Sequence, residues 1–122
     1  MKLRIKGNTI RLRLTKPEVE QFQKKGYLEE VTDFGARQFT YAVNRLRDAV
    51  EMTADFADGI LIVHVPGDAA DEWFNDDTRV GIESTTDLDG IRTLFIAVEK
   101  DFKCVGRDGN AEEYYENPKE GC

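Results

Sequence analysis

The sequence predicts a small α+β domain built on a duplicated ββαββ unit, with about eight mainly antiparallel strands, as two sheets or a barrel, and two short helices. Three observations predict it. Apolar and polar residues alternate along several short runs, two-residue turn signals separate those runs, and the order strand, turn, strand, helix recurs at an offset of 51 along a chain of 122 residues.

The first strand comes from Leu3 and Ile5, which alternate with Lys2, Arg4 and Lys6. Gly7-Asn8 interrupts, and Ile10, Leu12 and Leu14 then alternate with Arg11 and Arg13, the pattern of a hairpin closed by two residues. Thr15 is placed as a helix N-cap with Pro17 and Glu18 in the first turn; Val19 and Phe22 face inward, and Gly26 stops the helix. Strands over 27–33 and 38–46 follow, separated at Phe34-Gly35.

The second half repeats that order: a strand over 50–56, a turn at Asp58-Gly59, a strand over 60–65, and a helix over 68–75 ended near Asp76-Asp77. The offset of 51 sets Leu61, Val63, Val65, Trp73 and Ile82 on Ile10, Leu12, Leu14, Phe22 and Val31. Four extra residues around 87–90 then bring Leu94, Ile96 and Val98 onto Phe39, Tyr41 and Val43. Phe22 and Trp73, each on a short helix, are expected to plug the core. The chain reads as one domain, with 1–46 and 50–104 as its halves and 105–122 as an irregular acidic tail.

Composition agrees with one compact domain: 40% hydrophobic and 34% charged residues, with 10 glycines and 3 prolines, exclude disordered and collagen-like classes. No apolar run approaches the roughly 18 to 20 residues of a membrane-spanning helix, and the N-terminal alternation is unlike the apolar block of a signal peptide, so a cytoplasmic address is expected. The net charge of -7 argues against general nucleic-acid binding and against attachment to a membrane surface. That average hides a split, since residues 1–25 carry eight bases against two acids while residues 26–106 carry 17 acids against seven bases. The two cysteines, Cys104 and Cys122, read as reduced thiols, and with the single His64 they supply three ligands where structural zinc needs about four.

With Gly7-Asn8 as the turn, Arg4 lies opposite Arg11 and Lys2 opposite Arg13, so Lys2, Arg4, Lys6, Arg11 and Arg13 share one hairpin face. Like charges directly opposite each other cost up to about 1 kcal/mol per pair, so a compensator is expected. Glu51 and Asp55 of the second hairpin could supply it, as could Glu112, Glu113 and Glu116 of a tail strapped down by Tyr114 and Tyr115. Such a face is either a solvated surface with ion pairs or a site that grips an anion with forked hydrogen bonds. The expectation is a non-enzymatic binding domain for a small anion or a protein partner, with no catalytic residue and no cofactor.

The alternative is a metal-dependent hydrolase of a polyphosphate or nucleotide, with a divalent metal held by Glu51, Asp55, Glu83 or Glu99. A duplicated antiparallel domain lined with bases resembles the triphosphate tunnel phosphohydrolases. Their Glu-x-Glu-x-Lys strand motif is absent: Glu18-Val19-Glu20 lies on the first helix, with Phe22 in place of the lysine. His64 sits on the strand face opposite Leu61, Val63 and Val65 with no nucleophile near it in sequence, and Ser84 has no nucleophile elbow.

The opening run from Lys2 to Thr15, with Phe34-Gly35, Val65-Pro66, the segment from Val98 to Cys104 and Asn117-Pro118, resembles a family of small bacterial proteins of this length, known only as a domain of unknown function. That resemblance covers nearly the whole chain and implies a free-standing domain; it carries over no catalytic residue.

Overall fold

The computed structural model describes residues 1–101. Cys104, Cys122 and the tail contacts expected of Glu112, Glu113, Tyr114, Tyr115 and Glu116 lie outside the described residues. The element order is β1 (Lys2–Lys6), β2 (Thr9–Leu14), α1 (Lys16–Lys25), β3 (Tyr27–Asp33), β4 (Gln38–Leu46), β5 (Thr53–Ala57), β6 (Ile60–Pro66), α2 (Gly67–Asn75), β7 (Gly81–Asp87) and β8 (Thr93–Lys100). The fifth strand starts at Thr53 rather than at Val50, which is 97% exposed in the preceding loop. No helix among the described residues is long and apolar enough to cross a membrane.

Local chemistry accounts for the ends of the first helix. The Thr15 backbone N–H donates to Glu18 Oε1 at 2.9 Å, and Gly26 takes the left-handed conformation (φ 70°) while its N–H donates to Phe22 O at 2.7 Å. At the second hairpin both Asp58 and Gly59 have positive φ, 53° and 76°, as a tight two-residue turn requires.

Among the described residues the strands form two open four-stranded sheets, β1-β2-β8-β7 and β3-β4-β6-β5, and no barrel closes. Each sheet is mixed rather than antiparallel throughout: the hairpins are antiparallel, but the central pairs β2·β8 and β4·β6 are parallel. Each half thus gives one hairpin to each sheet. Exchanging β1, β2, β3 and β4 for β5, β6, β7 and β8 turns one sheet order into the other. The registers follow the exchange: Leu12 pairs with Val98 as Val63 pairs with Val43, and Leu14 with Lys100 as Val65 with Arg45.

That register corrects one detail of the duplication. Ile82 lies opposite Val98 and Leu28 lies opposite Val43, so the counterpart of Ile82 is Leu28 and not Val31. Leu28 and Ile82 are both buried, whereas Val31 is 51% exposed. The extra residues are divided accordingly. Gly26 alone joins α1 to β3, but 76–80 join α2 to β7, and the hairpin loop lengthens from 34–37 to 88–92.

Apolar residues from both sheets and both helices make one core, in which Leu12, Leu14, Val43, Val63, Val65, Ile96 and Val98 are fully buried. Phe22 and Trp73 occupy equivalent, fully buried places; the ring of Phe74 lies 5.3 Å from Phe22 and 5.7 Å from Trp73.

Candidate functional site

Strand alternation puts Leu12 and Leu14 into the core, so Arg11 and Arg13 face outward. The hairpin register then sets Lys2 opposite Arg13, Arg4 opposite Arg11 and Lys6 opposite Thr9. Arg4, Lys6, Thr9, Arg11 and Arg13 line one recess of about 360 Å³. All five predicted bases share this face.

The compensating acid comes from β8. Because β8 runs parallel to β2, Phe95, Ala97 and Glu99 stand beside Thr9, Arg11 and Arg13. Glu99 splits its carboxylate between the two arginines: Arg11 Nη1 donates to Oε2 at 3.0 Å and Arg13 Nε to Oε1 at 3.3 Å. Arg11 also lies over the Phe95 ring, 5.2 Å from its centroid, and Lys2 Nζ is 3.4 Å from Asp101 Oδ2. The bases in the half of the face near Lys2 and Arg13 are therefore paired with acids, two carboxylates meeting three cations. Toward the turn, among the described residues no carboxylate pairs with Arg4 or Lys6, and Thr9 adds a hydroxyl beside them.

Glu51 and Asp55 are not the compensators. Glu51 is exposed in the loop before β5, and Asp55 is on the outer face of the other sheet. Glu83 and Glu99 do share a face, on neighbouring strands, but Glu99 is engaged with arginines. Among the described residues no group of three or more His, Cys, Asp or Glu is placed to hold a metal ion.

The chain belongs to DUF7009, a family of unknown function. It matches that family over residues 1–119. No curated protein and no solved structure matches the chain.

Sequence reading missed the pairing partners in this DUF7009 chain. That Glu99 faces outward follows from its alternation with Val98; that it stands beside Arg13 follows only from the β2·β8 pairing. The outer face of the other sheet holds a second polar group. His64 Nε2 lies 3.2 Å from Asp55 Oδ2, and its Nδ1 lies 3.2 Å from Asn44 Nδ2, so the ring bridges a carboxylate and an amide. By the exchange of halves His64 stands where Arg13 stands, Asp55 where Arg4 stands and Asn44 where Glu99 stands.

Away from these faces, Tyr41 OH donates to Glu30 Oε2 at 2.6 Å, and Glu30 and Glu18 both meet the Met1 ammonium. Burial first, and then the hydrogen bond to the Glu30 carboxylate, push the Tyr41 hydroxyl up to about 12.

Proposed function

We propose that this protein is a non-enzymatic binding domain that takes a phosphate-bearing anion on the β1–β2 face. One observation carries the reading: four basic side chains and a hydroxyl converge on one recess, and among the described residues no acid pairs with its Arg4 and Lys6 half. Guanidinium forks match the geometry of phosphate oxygens, and the recess offers them as a planar array held by sheet pairing. Phosphohydrolase chemistry would need carboxylates gathered beside the bases, whereas Glu51, Asp55, Glu83 and Glu99 are spread over two sheets and a loop. A cytoplasmic address belongs to the same reading, since a phosphorylated ligand fits it.

The test is thermal denaturation with tripolyphosphate at low and at physiological salt. A ligand that binds the native state alone raises the melting temperature, and screening over about 8 Å at physiological salt should shrink the shift. No shift at low salt would refute the reading.

A further inference from the structure

We infer that Glu99 is a built-in competitor in the basic recess, and that its presence selects multiply charged phosphate compounds over simple carboxylates. This rests on the reading of the recess as an anion site. The Glu99 carboxylate holds the Arg11–Arg13 pair as a bound carboxylate ligand would, with one oxygen on each guanidinium at 3.0 and 3.3 Å. Its side chain is only 12% exposed, while those of Arg11 and Arg13 are 34% and 45% exposed, so both arginines keep donors on the solvent side.

An acid fixed on the adjacent strand competes intramolecularly and does not pay the translational and rotational freedom that a free anion loses on binding. A free monocarboxylate offers these arginines nothing that Glu99 does not already supply. A larger anion can do more, because Arg4 and Lys6 lie beyond the contacts that Glu99 makes. Alternate residues along a strand are about 6.6 to 6.8 Å apart and directly paired residues about 5 Å apart, so anionic groups roughly 5 to 7 Å from one another can engage Arg4 together with its pair partner Arg11 or with Lys6. A linear triphosphate has that reach; acetate and orthophosphate do not.

The other half of the molecule shows that the slot itself does not require a carboxylate. Asn44 occupies the equivalent position on β4, beside His64 in place of Arg13, and the strand pairing there is the same. A carboxamide at position 99 is therefore compatible with the architecture, and the charge of Glu99 answers to the arginines rather than to the sheet.

The experiment is calorimetric titration of the protein and of its Glu99→Gln variant with tripolyphosphate, orthophosphate and acetate. The unaltered protein should bind tripolyphosphate best and acetate not measurably. Glu99→Gln should tighten tripolyphosphate binding by about three- to tenfold, as expected from releasing two partly exposed ion pairs, and should narrow the gap between tripolyphosphate and the smaller anions. Unchanged or weaker tripolyphosphate binding by Glu99→Gln, with the unaltered protein still binding, overturns the competitor while leaving the anion site standing. Absence of binding by both proteins overturns both. Should the variant fold poorly, carbon-13 NMR of the Glu99 side-chain carboxylate during titration of the unaltered protein decides the matter: displacement moves its resonance as the site fills, and a resonance that stays fixed to saturation refutes the inference.

Discussion

The Lys100 ammonium donates to the Trp73 carbonyl at 2.8 Å and so closes the C-terminal end of α2 from a neighbouring strand. It also donates to Asp76 O at 2.5 Å. The equivalent carbonyl in the first half, Phe22 O, accepts instead from the N–H of Gly26, a glycine in the left-handed conformation. The second half has Asp76 in extended geometry after its helix, so the last carbonyls need another donor, and a cation suits the negative end of the helix. Lys100→Ala should lower the unfolding free energy by about 1 to 3 kcal/mol, the cost of leaving the buried Trp73 carbonyl unpaired. Urea denaturation reads this directly, and an unchanged midpoint would show that the cap contributes nothing.

Lys100 and Tyr41 should shape the alkaline limb of the stability profile in opposite directions. Burial lowers the Lys100 pKa from its ordinary value of 10.5, so between the lowered value and 10.5 the unfolded chain binds the extra proton and stability rises with pH. Tyr41 is raised from 10.0 to about 12, so its contribution is fully present below pH 10 and is lost as pH climbs toward 12. Lys100→Met should remove the rise and Tyr41→Phe should flatten the fall, measured as denaturation midpoints across the alkaline range.

On the acid side Asp71 is held below its ordinary value of 3.8 by its hydrogen bond from Arg45, which donates to both oxygens at 3.1 and 2.7 Å. A lowered carboxyl stabilises the fold above its ordinary pKa, and that stabilisation is lost as pH falls through the lowered value. Asp71→Asn should make the acid limb shallower. The pair is near the surface, so the change should be modest and should diminish at high salt.

The register of the duplication makes a separate prediction for two residues three apart. Leu28 is buried against the core and should cost about 2 to 5 kcal/mol on replacement by alanine, while the exposed Val31 should stay within roughly 0.5 kcal/mol. Equal losses at the two positions would contradict the pairing of Leu28 with Val43.

Charge reversal separates the basic recess from general surface charge. Arg4→Glu combined with Lys6→Glu should abolish stabilisation by tripolyphosphate, whereas reversing Lys24 and Lys25, at the far end of α1, should leave it intact. A loss of equal size in both double variants would mean nonspecific attraction.

Most of the elements were legible in the sequence because their causes are local. Alternation of Leu3 and Ile5 with bases, the turn pairs Gly7-Asn8 and Asp58-Gly59, Thr15 before Pro17 and Glu18, and Gly26 after Lys25 each act through residues only a few positions apart. The same alternation put Lys2, Arg4, Lys6, Arg11 and Arg13 on one face, so the basic half of the candidate site could be read with the hairpin. The first offset, 51, located Trp73 from Phe22, but it slipped at Ile82 because 76–80 lengthen the path from α2 to β7 and carry no pattern of their own.

By itself, then, the sequence determined which residues form strands, where the chain turns and which side of each strand is apolar. The tertiary structure decided which strand lies beside which. Nothing within Thr9–Leu14 specifies that its second neighbour is Thr93–Lys100, running parallel and drawn from the other half of the chain, because that choice depends on how two hairpins and two helices bury one core together. It is this choice that sets Glu99 between Arg11 and Arg13 and gives Arg4 and Lys6 no carboxylate among the described residues, so the division of the basic face into a paired and an unpaired part is a property of the packing and not of either strand.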